Sequence, residues 1–221
     1  MGFNVALDGP AGAGKSTVAK AIAKEMNLIH VDTGAMYRAL AYFFITNDIP
    51  VGDEKAVSEK VKNATVTLDF VDGAQKVTLN GTDVTAHLRE EAVGNAASVT
   101  SAYPAVRAHL LELQRVLAKE KDVIMDGRDI GTAILPDANA KIYLTASSDE
   151  RANRRVKELI EKGEKADFEK IKADIEDRDY RDMHRETAPL KQAEDAYFLD
   201  SSNMTIDEVV KTACDFIRSK K

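Results

Sequence analysis

The sequence predicts an α/β protein built on a doubly wound parallel sheet with helices on both faces and one small antiparallel β meander inserted. Three observations carry that expectation. Short apolar runs alternate with segments of helical periodicity along most of the chain, the pattern of parallel strands joined by helical crossovers. Residues 64–85 break the pattern with strict alternation and two tight-turn pairs. The chain has 221 residues, 44% of them apolar, enough for one such domain with a buried sheet.

Residues 3–7 form an apolar run ending at a glycine-rich turn, and 16–26 follow with Val18, Ala19, Ile22, Ala23 and Met26 at helical spacing. The expectation is strand, loop, helix. Residues 28–31 predict a second short strand and 35–45 a helix with an aromatic buried face, closed by Asn47-Asp48-Ile49-Pro50. Within 64–85, Val66, Leu68 and Phe70 alternate with Thr65, Thr67 and Asp69, and the turns Asp72-Gly73 and Asn80-Gly81 separate three strands, the last over 82–85. Helical patterns return over 90–100 and 104–118, where Pro104 suits a first helical turn. Further buried strands are predicted at 123–125, 142–144 and 197–199, charged helices at 149–162 and 168–186, and a last helix at 206–218.

A formal net charge of -6 argues against nonspecific binding to a nucleic acid polymer, which needs a broad basic surface. The one cysteine, Cys214, cannot form an internal disulfide and lies in the apolar stripe of the last helix, as expected in a reduced compartment. His30, His87, His109 and His184 share no metal-ligand spacing. The start, Met1-Gly2-Phe3-Asn4-Val5-Ala6, has no basic region, and Ala6 stands where an N-myristoylation motif wants Ser or Thr. The longest apolar run, 40–45, is too short to span a bilayer. A cytoplasmic monomer with no membrane association is the expectation.

The strongest chemical signal is Gly9-Pro10-Ala11-Gly12-Ala13-Gly14-Lys15-Ser16, the pattern of a phosphate-binding loop placed between a predicted strand and a predicted helix. Its glycines let successive amides point at one centre, where the helix N-terminus adds positive potential. Lys15 can reach the β and γ phosphates of ATP, and Ser16 can serve Mg²⁺, directly or through a water. A ligand-free Gly/Ala turn would lack that strand-and-helix context. No Asn-Lys-x-Asp run is present to read guanine. What accompanies the loop is arginine. Arg178, Arg181, Asp182 and Arg185 project from one face of a helix, as spacing suits for clamping phosphate oxygens, though i,i+4 pairing of Asp174 with Arg178 and Asp177 with Arg181 would give the same residues a bland reading. Arg151, Arg154 and Arg155 begin the 149–162 helix, and Lys162-Gly163-Glu164-Lys165 follows it, as in a lid that excludes water. Asp32-Thr33-Gly34-Ala35-Met36-Tyr37-Arg38 and Asp126-Gly127-Arg128-Asp129 both sit at carboxyl ends of predicted strands, where open α/β sheets bind ligands. Asp32 or Thr33 as a helix N-cap and Asp126-Gly127 as a simple turn are the competing structural readings.

Together, the loop with Asp8 and Thr17, the segment 32–38, Asp126-Gly127-Arg128-Asp129-Ile130-Gly131-Thr132 and Arg178-Asp179-x-Arg181-Asp182-x-x-Arg185 resemble the bacterial cytidylate kinase family, P-loop nucleoside monophosphate kinases, from first strand to last helix. The meander matches as well, since that family is similar to adenylate kinase with an enlarged acceptor-binding subdomain. The resemblance implies a single P-loop kinase domain with a core (about 1–33, 86–148 and 187–221), an acceptor-binding subdomain holding the meander (about 34–85) and a helical lid (about 149–186). It implies that residues 9–17, including Thr17, bind ATP with Mg²⁺. Thr33, Arg107 and Asp129 would approach cytosine with Arg128 fixing the site, Arg38 and Arg185 would hold the acceptor phosphate, and Asp182 the ribose. Arg154 and Arg178 would reach the phosphates being exchanged, so that Lys15, Arg128, Arg154 and Arg178 form the catalytic set. A carboxylate at Asp129 favours cytosine, whose N4 amino group is a donor where uracil has an acceptor. The expected substrates are ATP and CMP or dCMP. A kinase for UMP, AMP or a non-nucleotide alcohol, and a regulatory ATP-binding module, are the alternatives.

Overall fold

The computed structural model describes residues 2–71 and 73–221. In chain order its elements are β1 (Asn4–Asp8), α1 (Lys15–Met26), β2 (Ile29–Asp32), α2 (Thr33–Thr46), α3 (Glu54–Lys60), β3 (Val66–Val71), β4 (Ala74–Leu79), β5 (Thr82–Asp83), α4 (Glu91–Thr100) and α5 (Pro104–Glu120). They continue with β6 (Val123–Gly127), β7 (Ala140–Thr145), α6 (Ser148–Glu161), α7 (Phe168–His184), β8 (Tyr197–Asp200) and α8 (Ile206–Arg218). Short 3-10 turns occupy Val61–Asn63 and Thr85–Arg89, and a π turn occupies Ile130–Ile134. The fold is of the expected α/β class, with parallel strands, helical crossovers and a small antiparallel sheet. The chain divides into two compact units, one formed by Ile29–Val123 with Gly2, the other by Phe3–Leu28 and Ile124–Lys221.

The second of these units carries strands in the order β6-β1-β7-β8. β1 runs parallel to β7, with Val5 opposite Ala140 and Asp8 opposite Tyr143, and β7 runs parallel to β8, with Ile142 opposite Tyr197. Val5, Leu7, Ile124, Ile142 and Leu144 are buried, which is why these strands read as continuous apolar runs rather than alternating ones. Ile22 of α1 and Ile217 of α8 pack into the same core. Each such side chain contributes about 1.5–3 kcal/mol by leaving water. Thr205 and Glu208 form a reciprocal capping box that starts α8, the helix that buries Cys214 in this core.

In the first unit β3, β4 and β5 form the predicted antiparallel meander, with Val66 opposite Leu79 and Thr78 opposite Asp83. Asn80 and Gly81 both take positive φ, 49° and 82°, as the Asn-Gly turn requires. Asp72 of the other predicted turn lies outside the described residues. The third strand is shorter than expected. Asp83 Oδ1 accepts from the Thr85 amide, and the Thr85 hydroxyl accepts from the Val77 amide at 2.9 Å in place of a ladder partner, so the chain turns away into a 3-10 turn. Met36, Leu40 and Phe44 of α2 pack with Val57, Val77 and Leu110 to form the core of this unit. Helix α3, capped by Asp53, was not legible as periodicity because Val57 is its only buried residue. Among the described residues, no helix is long and apolar enough to cross a membrane.

Candidate active site

The loop between β1 and α1 is shaped by close approach. A Cβ on Gly9 would stand 1.9 Å from the Leu144 carbonyl oxygen, so any side chain there would force β1 and β7 apart. Pro10, Ala11 and Ala13 are buried, while Gly12 and Thr17 are exposed and Gly14 precedes the first turn of α1. Lys15 is buried at the loop's base, its Nζ donating to the Pro10 carbonyl at 2.7 Å. Burial holds its pKa well below the ordinary lysine value. The Arg128 charge pushes the same way, Asp126 and Asp182 oppose it, and Arg178 adds to the depression. The charges of Arg128 and Arg178 thus both bear on Lys15.

Ser16 donates its hydroxyl to Asp126 Oδ2 at 2.8 Å. This pairs the loop's metal-ligand candidate with a buried carboxylate near the end of β6 and makes Asp126 a candidate site residue to which the sequence assigned no role. The last positions of β6 are strand, not the simple turn that was the rival reading. Two oxygen donors of this kind suit a hard divalent cation such as Mg²⁺. Among the described residues no group of three or more His, Cys, Asp or Glu could hold a metal by itself.

Beyond β6, Arg128 Nε donates to Asp182 Oδ2 at 2.8 Å, and Arg185 donates to Asp129 Oδ1 at 3.0 Å. Burial raises the Asp182 carboxyl, but the charge and hydrogen bond of Arg128, with Arg178 and Arg185 beyond, outweigh it and leave the pKa below the ordinary value. Arg185 is also held by the Ala188 carbonyl. Asp8, buried at the end of β1, accepts from the amides of Ile130 and Gly131 at 2.8 and 2.7 Å, tying the segment after Asp129 to the strand that launches the loop.

The expected single face of arginines on α7 needs correcting. At about 100° per residue the buried arc runs from Arg178 through Asp182 to Asp179, which leaves Arg181 exposed, its Nε on the Asp177 backbone carbonyl rather than the carboxylate. The helix also stops at His184, ahead of Ala188-Pro189, so Arg185 reaches Asp129 from extended chain rather than from the helix. The cluster at the start of α6 separates too. Arg155 pairs with Glu158 at the surface. Arg154 bonds Glu150 and both oxygens of Ser201, with its guanidinium 3.9 Å from where a Gly14 Cβ would stand, and Arg151 turns inward to Asp179.

In the other unit, Asp32 is the N-cap of α2, accepting from the Ala35 amide, and also pairs with Arg38 at 3.0 Å and Arg89 at 3.2 Å. The helix-cap reading of this segment holds for Asp32. Gln75 of β4 accepts from the Asp32 amide at 2.8 Å and donates to its carbonyl at 3.2 Å, fastening the meander to the segment that leads into Thr33. Thr33 is buried at the first position of α2. Arg107 is buried, donates to the Ser101 carbonyl at 3.2 Å and lies over the Tyr37 ring, 5.6 Å from its centre. Arg89 and Gln75 carried no motif signal in the sequence.

Comparison with known proteins bears on this arrangement. A family model described as Cytidylate kinase matches residues 5–219. A cytidylate kinase of Lactobacillus johnsonii is 49% identical over 219 residues, covering 99% of this chain and 95% of that protein. One of Caldicellulosiruptor saccharolyticus is 49% identical over 209 residues, covering 95% of this chain and 92% of the relative. In fold alone the chain is similar to an uncharacterized protein from Eubacterium ventriosum, with a TM-score of 0.56 at 11% identity over 98% of this chain and 99% of that one. The chain belongs to the cytidylate kinase family.

Proposed function

We propose that the chain transfers the γ-phosphoryl group of ATP to CMP, and to dCMP, giving ADP and CDP or dCDP, as a cytoplasmic monomer acting on small-molecule substrates. Family membership supports the reaction, and one observation carries the assignment of its machinery. Lys15 lies buried at the base of the loop, the Arg154 guanidinium stands 3.9 Å from the Gly14 Cβ position, and Arg128 is held by Asp182 beyond β6. A regulatory nucleotide binder has no need of that concentration of positive charge.

The acceptor phosphate has a second pKa of about 6 and is largely dianionic near neutral pH, so no general base is needed to make it nucleophilic. The obstacle is repulsion between two anions. Lys15 and the amides of residues 9–17 hold the donor phosphates, Arg154 and Arg178 neutralise the group in transfer, and Arg38 and Arg185 hold the acceptor phosphate in line. Asp182 orients the ribose. Thr33, Arg107 and Asp129 read cytosine, with Arg128 fixing Asp182 in place. Ser16 and Asp126 would hold Mg²⁺, which when bound supplies further neutralisation of the phosphate charge.

An acceptor panel scored by ADP release tests the reading. CMP and dCMP should accelerate release roughly 100-fold or more above UMP, AMP or a non-nucleotide alcohol, because a site built around hydrogen bonds to one base strands its polar groups with another. Release that no acceptor accelerates, or that another acceptor accelerates more, would contradict it.

A further inference from the structure

We infer that the buried Arg151–Asp179 pair positions the phosphate-binding loop by gripping both polar atoms of Ala11, an inference that rests on the loop being the ATP site. Asp179 Oδ1 accepts from the Ala11 amide at 3.1 Å. Arg151 donates to the Ala11 carbonyl at 2.8 Å and to Asp179 Oδ2 at 2.5 Å, while its Nε is held by the Ala146 carbonyl at 2.9 Å. Arg151 and Asp179 are 6% and 7% exposed. The stem of Arg151 lies against the next residue as well, its Cβ 3.4 Å from where a Gly12 Cβ would stand.

The geometry separates positioning from catalysis. The Ala11 amide faces Asp179 and is withdrawn from phosphate binding, so neither member of the pair acts on the substrate through it. What the pair removes is freedom. A segment with glycine at positions 9, 12 and 14 has many accessible backbone states, and fixing one peptide plane by donor and acceptor together sets where the following amides point. A buried ion pair is weak evidence of stabilisation, since apolar residues of similar volume often serve as well. The contacts to Ala11 supply the reason for charges at these two positions. Because Arg151 belongs to α6 and Asp179 to α7, the charged hairpin is fastened at its base to the loop.

The test compares the KM for ATP, the KM for CMP and kcat in Arg151→Met/Asp179→Leu, Asp179→Asn, Arg151→Lys and Lys15→Ala, each with a thermal melt. The double variant leaves no unpaired buried charge and is expected to fold. Its KM for ATP should rise at least about tenfold and its kcat fall, with the KM for CMP within about twofold of the parent, the pattern of misaimed donor phosphates. Asp179→Asn, which keeps an acceptor for the Ala11 amide, should recover part of the loss. Arg151→Lys keeps the paired charge but loses the Nε donor to Ala146 that fixes the guanidinium plane, and should shift the same ATP-side constants. Parent-like ATP constants in the folded double variant, or equal rises in both KM values, would overturn the inference. Lys15→Ala separates the two levels. If it too leaves ATP use unchanged, the ATP-site reading fails; if it abolishes turnover while the pair's variants are silent, only the positioning role fails.

Discussion

Asp8 is a carboxylate held away from water at the end of β1. Burial raises its pKa from the ordinary 3.8 to about 6, although the amides of Gly131 and Ile130 favour the charged form; Asp129 raises it further and Lys15 lowers it. Because the folded value lies above the unfolded one, the contribution of Asp8 to stability is full below pH 3.8 and is lost as pH rises through about 6. The whole difference is about 3 kcal/mol. Asp8→Asn cannot ionise, so denaturant midpoints at pH 4 and pH 7 should move in its favour relative to the parent by up to that amount as pH rises, whatever fixed cost its lost acceptor adds. A constant difference across that range would show that Asp8 does not titrate there. At this scale Lys15 and Ser16 were legible because loop chemistry constrains residue type at fixed spacing. Asp126 was quoted within a motif but given no role, since its meaning comes from Ser16, 110 positions away.

Elements whose shape follows from local chemistry were read closely: the strand, loop and helix at the amino terminus, Pro104 opening α5, the Asn80-Gly81 turn. Elements whose limits depend on tertiary partners were not. The buried arc of α7 is rotated toward Asp179, one residue beyond the arc that arginine spacing suggested, and this is why Asp179 was missed and Arg181 overvalued. In the meander, the grip of Gln75 on Asp32 gives β4 a role beyond packing. Losing two hydrogen bonds to the segment that presents Thr33 and Arg38 should cost about 1–2 kcal/mol of acceptor alignment. Gln75→Ala is therefore expected to raise the KM for CMP roughly five- to thirtyfold while the KM for ATP stays near the parent value, by initial-rate kinetics. Parallel rises in both would make the latch a general structural contact.

For the whole molecule, the net charge of -6 and the polyanionic substrates are reconciled by where cations lie rather than by how many there are. Lys15, Arg128, Arg154 and Arg178 all belong to the unit formed by Phe3–Leu28 and Ile124–Lys221. Thr33, Arg38 and Arg107 belong to the other. The fold class and family were legible because their motifs run in order along the chain. Central to the account is that a loop closed around Lys15 hands a phosphoryl group to CMP. The most direct measurement follows γ-labelled ATP with CMP and Mg²⁺ in the parent and in Lys15→Ala. Label should appear on the terminal phosphate of CDP in equal amount to ADP formed, and Lys15→Ala, still folded by its melt, should transfer it at least roughly 100-fold more slowly. Label released as inorganic phosphate in the parent, or near-parent transfer in the variant, would contradict the account.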